Sequence, residues 1–130
     1  MTSSDDACGR VVLVGGGPGA LDLLTIRALR ELRAADVIVA DRLGPRDELD
    51  QLGLDAEIID VGKTPHHHPV PQVEINKILV REARAGRRVV RLKGGDPYLL
   101  GRGGEELLHC RAHGVEAVSY THLTLPTILL

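Results

Sequence analysis

The chain has 130 residues, of which 43% are hydrophobic and 26% are charged, and its formal net charge is −2 at pH 7. This length supports one domain with its own core, and the charge argues against nucleic acid or an anionic membrane as a partner. No apolar run reaches the roughly 20 residues of a membrane span, and the acidic, polar first residues do not form a signal peptide. We therefore expect a cytoplasmic protein that acts on a small molecule.

Four short apolar runs predict β-strands, and helical patterns lie between them. The runs are Val11–Val14, Val37–Ala40, Glu57–Val61 and Val89–Leu92. Strands that alternate with helices at this spacing predict an α/β domain with a mostly parallel sheet and right-handed crossovers. In such sheets ligands bind beyond the carboxyl ends of the strands. Gly, Asp or Lys follows each run, so the chemistry is expected at that edge.

Three helices are predicted between and after these strands. Four apolar residues form the stripe of the first helix, namely Leu21, Leu24, Ala28 and Leu32. The segment from Pro71 to Ala85 is the best helix, because proline suits its first turn and Gly86 suits the left-handed position after its end. A further helix is expected from about Gly104 to Ala112, stopping at Gly114.

The glycine loop after the first strand supports two interpretations. Gly15, Gly17 and Ala20 fit a loose dinucleotide pattern, with Asp41 about 20 residues on, as in an NAD-dependent oxidoreductase. However, Pro18 removes a backbone N–H where a pyrophosphate needs a donor. A tight structural turn is the other interpretation.

A second loop follows the fourth strand. Gly94 and Gly95 permit close approach of a ligand to the backbone, and Asp96 can accept hydrogen bonds from a ribose or an amino group. This pattern predicts a nucleotide-like or adenosyl ligand. A dinucleotide site does not need this second loop, which argues against the NAD alternative.

Two charged residues beyond strand ends are candidates for proton transfer. Asp41 could cap a turn and Lys63 could be a solvated lysine, but at neighbouring strand ends they could also act as a base and an acid. The run His66–His68 does not predict a metal site, since three adjacent histidines cannot all face one ion. Cys8 and Cys110 are expected to be reduced thiols.

Several glycine- and charge-containing segments carry a family resemblance over most of residues 11–118. They are Val14–Gly19 with Leu24–Thr25, Ala35–Val37 leading to Asp41–Leu43, Asp60–Lys63, Pro71–Gln72 with Glu74–Asn76, Val90–Pro97 and Gly101–Glu106. In this order they resemble the uroporphyrinogen-III C-methyltransferases of the tetrapyrrole methylase family. The resemblance implies the family's N-terminal α/β domain, with a mostly parallel sheet of about five strands flanked by helices.

The resemblance also implies an activity and a set of site residues. Two methyl groups would pass from S-adenosyl-L-methionine to uroporphyrinogen III, giving precorrin-2 for siroheme and cobalamin synthesis. By position, Asp41 matches the family's proton-accepting aspartate and Lys63 its proton-donating lysine. The positions that match cofactor contacts are Pro18, Gly94, Gly95, Asp96 and Leu99. The intact enzyme is expected to be a homodimer with no metal.

The residue types suit this chemistry. A methyl group on a sulfonium is already electrophilic, so the enzyme must mainly align the substrate carbon with it. Proton loss from the macrocycle then needs a base such as Asp41. Arginines could hold the substrate's carboxylates, and Arg42, Arg91 and Arg102 are open candidates.

The division of the chain is predicted in three parts. Residues 1–10 are expected to be a disordered N-terminus, and residues 11–118 the family's N-terminal domain. Residues 119–130 end on exposed leucines and lack the family's entry into its second domain, so they are expected to be a non-native tail. By this expectation the chain is a truncated, inactive fragment.

Overall fold

The computed structural model describes residues 9–15, 26–40, 53–62, 70–93 and 103–120. Within them, strands and helices alternate along the chain. The elements are β1 (Arg10–Gly15), α1 (Ile26–Ala34), β2 (Val37–Ala40), β3 (Glu57–Asp60), α2 (Gln72–Arg84), β4 (Arg88–Lys93), α3 (Gly103–Ala112) and β5 (Glu116–Tyr120).

The strands form one sheet in the order β3-β2-β4-β1-β5, and all its pairs are parallel. In β1 and β4 the partners run from Arg10 with Arg88 to Gly15 with Lys93, so these two central strands end level with each other. Parallel pairing brings the carboxyl ends of all these strands to one edge of the sheet. The predicted α/β class, with a mostly parallel sheet of about five strands flanked by helices, is confirmed.

The sheet is covered on both faces. Leu79 of α2 and Cys110 of α3 pack with Val89 on one face, and Leu32 of α1 packs with Val90 on the other. Strands buried on both faces need apolar residues at successive positions. This explains why β2 (Val37–Ala40) reads as a continuous apolar run, with all four residues buried.

The predicted helix ends agree with the structure to within a residue or so. Pro71 precedes α2 in an extended conformation, and its carbonyl oxygen accepts from the amides of Glu74 and Ile75. Gly86 has a φ of 89° and Gly114 a φ of 78°. A residue without Cβ takes this left-handed conformation at little cost, which is why both glycines follow helix ends.

Two strands extend beyond residues 11–118. The amide of Gly9 donates to the Ala83 carbonyl at 2.6 Å, and Arg10 already belongs to β1. At the other end, β5 continues through Ser119 and Tyr120, which pair with Leu13 and Val14. The side of β1 that faces away from β4 is thus paired with β5 along most of its length, and this pairing satisfies the backbone groups of β1. The ten residues after Tyr120 lie outside the described part of the chain.

Candidate functional site

The candidate site lies at the carboxyl edge of the sheet. β2 ends at Ala40, directly before Asp41, and β4 ends at Lys93, directly before Gly94. The two strands are neighbours, with Ala40 paired to Leu92. The seven predicted site residues lie outside the described residues, and they are Pro18, Asp41, Lys63, Gly94, Gly95, Asp96 and Leu99. The structure gives the strand ends from which their segments start, and their individual roles stay predictions.

A buried polar cluster supports this edge from the face covered by α2 and α3. Arg91 and Lys93 of β4 lie on the same side of the strand as Val89, because side chains alternate along it. The Arg91 Nε donates to the Glu106 Oε2 of α3 at 3.2 Å, and the Lys93 Nζ lies 3.8 Å from the same oxygen. The side chains of Arg91 and Glu106 are each only 1% exposed.

Helix α2 completes this cluster. The Gln72 Nε2 donates both to the Glu106 Oε2 and to the Asn76 Oδ1, each at 2.9 Å. The other oxygen of Glu106, Oε1, is buried and has no hydrogen-bond partner among the described residues. We call Gln72, Asn76, Arg91, Lys93 and Glu106 the Glu106 cluster. A charge buried to this extent is costly unless it is paired and hydrogen-bonded, so the cluster has to be held together as a unit.

These contacts make Arg91 a structural residue that links β4 to α3 and β2. Besides Glu106, its guanidinium donates to the carbonyl oxygen of Val39 in β2 at 3.3 Å. A side chain that is almost fully buried and donates to protein groups is not placed to meet a substrate carboxylate. Of the three arginines left open by the sequence, Arg42 and Arg102 lie outside the described residues.

The Glu106 cluster was missed as a unit by sequence reasoning, although its signals were present. Arg91 interrupts an apolar strand run that the fold buries on both sides, and a buried arginine needs a carboxylate partner. Gln72, Asn76 and Glu106 all lay in segments that carry the family resemblance. The pairing between them depends on how α2 and α3 pack, which spacing along the chain does not show.

The pKa values of Cys110 and Glu82 are among those that the fold shifts. Burial, with the charge of Glu106, raises the pKa of the Cys110 thiol to about 11. Burial alone would raise the pKa of Glu82, but the hydrogen bonds and charges of Arg87 and Arg81 outweigh it and lower that pKa. Neither group belongs to the carboxyl edge, so we assign both to the scaffold.

Within residues 9–15, 26–40, 53–62, 70–93 and 103–120, no three His, Cys, Asp or Glu side chains group together as metal ligands would. None of the described helices is both long and apolar enough for a membrane span.

The fold defines a class of protein, the α/β domains with a parallel sheet, in which ligands generally bind beyond the carboxyl ends of the strands. The family model for Tetrapyrrole (Corrin/Porphyrin) Methylases matches residues 10–127. The chain belongs to this family, and the family predicted from its sequence segments is confirmed.

Curated relatives include siroheme synthases. The chain is 50% identical over 115 residues to the siroheme synthase of Tolumonas auensis, covering 88% of this chain and 25% of that protein. It is 58% identical over 99 residues to siroheme synthase 2 of Klebsiella pneumoniae, covering 76% of this chain and 22% of that protein. The chain therefore spans about a quarter of the length of these relatives.

Solved structures show the same fold. Uroporphyrin-III-C-methyltransferase from Thermus thermophilus matches with a TM-score of 0.73 and 43% identity, over 87% of this chain and 47% of that one. A second structure of that enzyme, complexed with S-adenyl homocysteine, matches with a TM-score of 0.69 and 46% identity, over 86% and 44%. The predicted cofactor, S-adenosyl-L-methionine, is thus confirmed for the family, which favours the methylase over the NAD-dependent alternative.

Proposed function

We propose that this domain forms part of an S-adenosyl-L-methionine-dependent C-methyltransferase that converts uroporphyrinogen III to precorrin-2, for siroheme and cobalamin synthesis. The proposal rests on one observation: in a chain that belongs to this family, neighbouring parallel strands end side by side at one edge of the sheet. β1, β4 and β2 are neighbours, and they end directly before or within the segments that hold Pro18, Gly94–Asp96 and Asp41. The chain covers less than half of the length of each of these two solved structures. The reaction is therefore proposed for the complete enzyme.

The described edge fits an adenosyl ligand. The central strands β1 and β4 end level at Gly15 and Lys93, and both lead into segments that contain further glycines. Glycines let a ligand approach the backbone. In this proposal Pro18, Gly95 and Leu99 contact the cofactor together with Gly94, and the Asp96 carboxylate accepts hydrogen bonds from it.

When bound, the cofactor supplies an electrophilic methyl group on its sulfonium. The chain's residues orient the substrate and handle its protons. Asp41, after β2, accepts the proton lost from the macrocycle, and Lys63, after β3, donates one. Arg42 and Arg102 are the remaining candidates for the substrate's carboxylates. A cytoplasmic homodimer without nucleic-acid or membrane partners is part of the same proposal.

A chimera tests this function in a complete enzyme. The 115 residues of this chain that match the Tolumonas auensis siroheme synthase replace their counterpart in that protein, and dimethylated product is followed by mass spectrometry. We expect turnover, and we expect Asp41→Asn to lower it by about a hundredfold or more because the base is removed. Asp55→Asn is the matched control, since Asp55 is exposed and lies just before β3. A chimera that folds and methylates equally well with Asp41→Asn would contradict the assigned role.

A further inference from the structure

Two segments of the sequence have no role in the proposed chemistry. They are Pro71–Asn76, which begins α2, and Gly103–Glu106, which begins α3. Their polar side chains Gln72, Asn76 and Glu106 converge on the buried face of β4. Each buried polar group costs free energy unless it is satisfied, so a purely structural core would be expected to use apolar residues here.

Glu106 links both ends of the connection between β4 and α3. Lys93 is the last residue of β4 and lies at 3.8 Å from the Glu106 carboxylate. Glu106 itself lies in the first turn of α3, which begins at Gly103. One carboxylate therefore links the last residue of β4 to the first turn of α3.

The cluster also reaches the strand that precedes Asp41. The Arg91 guanidinium bridges Glu106 and the Val39 carbonyl oxygen, one residue before the end of β2. Gln72 ties the same carboxylate oxygen to the start of α2. The ends of β2 and β4 and the starts of α2 and α3 are thus joined through a single oxygen atom.

We propose that Glu106 is a positioning residue for the cofactor site: through Arg91 and Lys93 it holds the ends of β2 and β4 in register with the first turn of α3 at the carboxyl edge. The identity of the ligand rests on the proposed function. A site whose supporting strand and helix ends are already held in place loses less conformational freedom when it takes up a ligand. Preorganisation of this kind strengthens binding. In a low-dielectric interior the ion pair is strong enough to do this, whereas an exposed pair is not.

The test uses Glu106→Gln in the full chain. The variant keeps an acceptor for Gln72 and Arg91 but removes the charge that both cations share. The first readout is ligand-free hydrogen exchange by mass spectrometry. We expect peptides that span residues 91–106 to exchange at least about tenfold faster, while the β1 peptide changes far less. The second readout is S-adenosyl homocysteine affinity, which we expect to fall by about tenfold or more.

Two variants accompany it. Glu106→Asp retains the charge and is expected to recover part of the protection and affinity. Glu74→Gln makes the same chemical change in an exposed pair, in which the Lys77 Nζ lies 3.8 Å away, and is expected to leave both readouts unchanged. Should Glu106→Gln fail to fold, Gln72→Met removes two hydrogen bonds, one to the Glu106 carboxylate and one to the Asn76 amide oxygen. It is expected to speed exchange of the same peptides by about fivefold or more.

The outcomes separate this inference from the proposed function. Unchanged exchange of residues 91–106 in a folded Glu106→Gln or Gln72→Met variant would overturn the positioning role, as would acceleration that is uniform along the chain. Wild-type peptides already exchanging at the rate of a free chain would also overturn it. If exchange changes as expected but S-adenosyl homocysteine does not bind the wild-type chain, the positioning role stands and the proposed ligand is contradicted.

Discussion

The ion pairs of Arg91 and Arg87 differ mainly in burial. This difference predicts which pair contributes more to the free energy of unfolding. Arg87 donates to the carboxylates of Glu82 at 2.7 Å and Glu57 at 2.9 Å, yet its side chain is 33% exposed. Arg91 makes a longer contact of 3.2 Å with Glu106 but is 1% exposed. Distance alone ranks the Arg87 pairs as stronger, whereas the cost of leaving a carboxylate buried ranks the Arg91 pair first.

Replacing Arg91 with methionine leaves the Glu106 carboxylate buried without its main partner. Loss of one partner of a buried pair costs about 3–5 kcal/mol. Because Gln72 still donates to Glu106 and Lys93 remains at 3.8 Å, we place the loss for Arg91→Met near the lower end, about 3 kcal/mol. For Arg87→Met we expect a smaller loss, because Glu57 is 56% exposed and the Glu82 carboxylate, which is 13% exposed, keeps its contact with Arg81.

Urea unfolding followed by far-ultraviolet circular dichroism measures both losses. The double variant Arg91→Met/Glu106→Gln should lose less than the sum of its two single variants, because the second partner contributes less once the first is gone. Equal losses for Arg91→Met and Arg87→Met, or additive losses in the double variant, would refute the reasoning from burial.

Three further predictions concern the scaffold. Leu79→Ala should lower the free energy of unfolding by about 2–5 kcal/mol in urea titrations, because Leu79 is fully buried; a loss under about 1 kcal/mol would contradict the packing. In a Cys8→Ser background at about pH 8, a thiol reagent should modify Cys110 far more slowly in the folded than in the unfolded chain, because burial raises its pKa to about 11; equal rates would contradict this. The pKa of Glu82 is lowered in the folded state, so its contribution is present above the unfolded value of 4.5 and is lost as the pH falls through the folded value. Urea titrations should therefore show the wild type losing more stability than Glu82→Gln on acidification, and parallel pH curves would contradict the shift.

Much of the fold follows from the sequence. Apolar runs such as Val37–Ala40 are predicted correctly because a central parallel strand is buried on both faces and tolerates few polar residues. Gly86 and Gly114 mark helix ends because both adopt positive φ. β5 (Glu116–Tyr120) has no such signal: its burial is partial, and the family resemblance alone supplied a fifth strand.

The candidate site is predictable to a different degree. The edge itself follows from strand order and the residues after each strand, since parallel strands end together. The Glu106 cluster does not, because its partners come from three successive elements, α2, β4 and α3, and they meet only after these elements pack together. Arg91 and Glu106 are 15 positions apart, and Gln72 and Glu106 are 34 apart. Arg91 interrupts an apolar run, but each of the other residues taken alone could equally be a solvated side chain.

The central claim is that the carboxyl edge of this sheet binds an adenosyl thioether, not a dinucleotide. Calorimetric titration of S-adenosyl homocysteine into the purified chain, with NAD titrated separately, tests it most directly. We predict saturable binding of S-adenosyl homocysteine that Asp96→Ala abolishes, and no heat of binding from NAD. Binding of NAD, or S-adenosyl homocysteine binding that is unaffected by Asp96→Ala, would contradict the account.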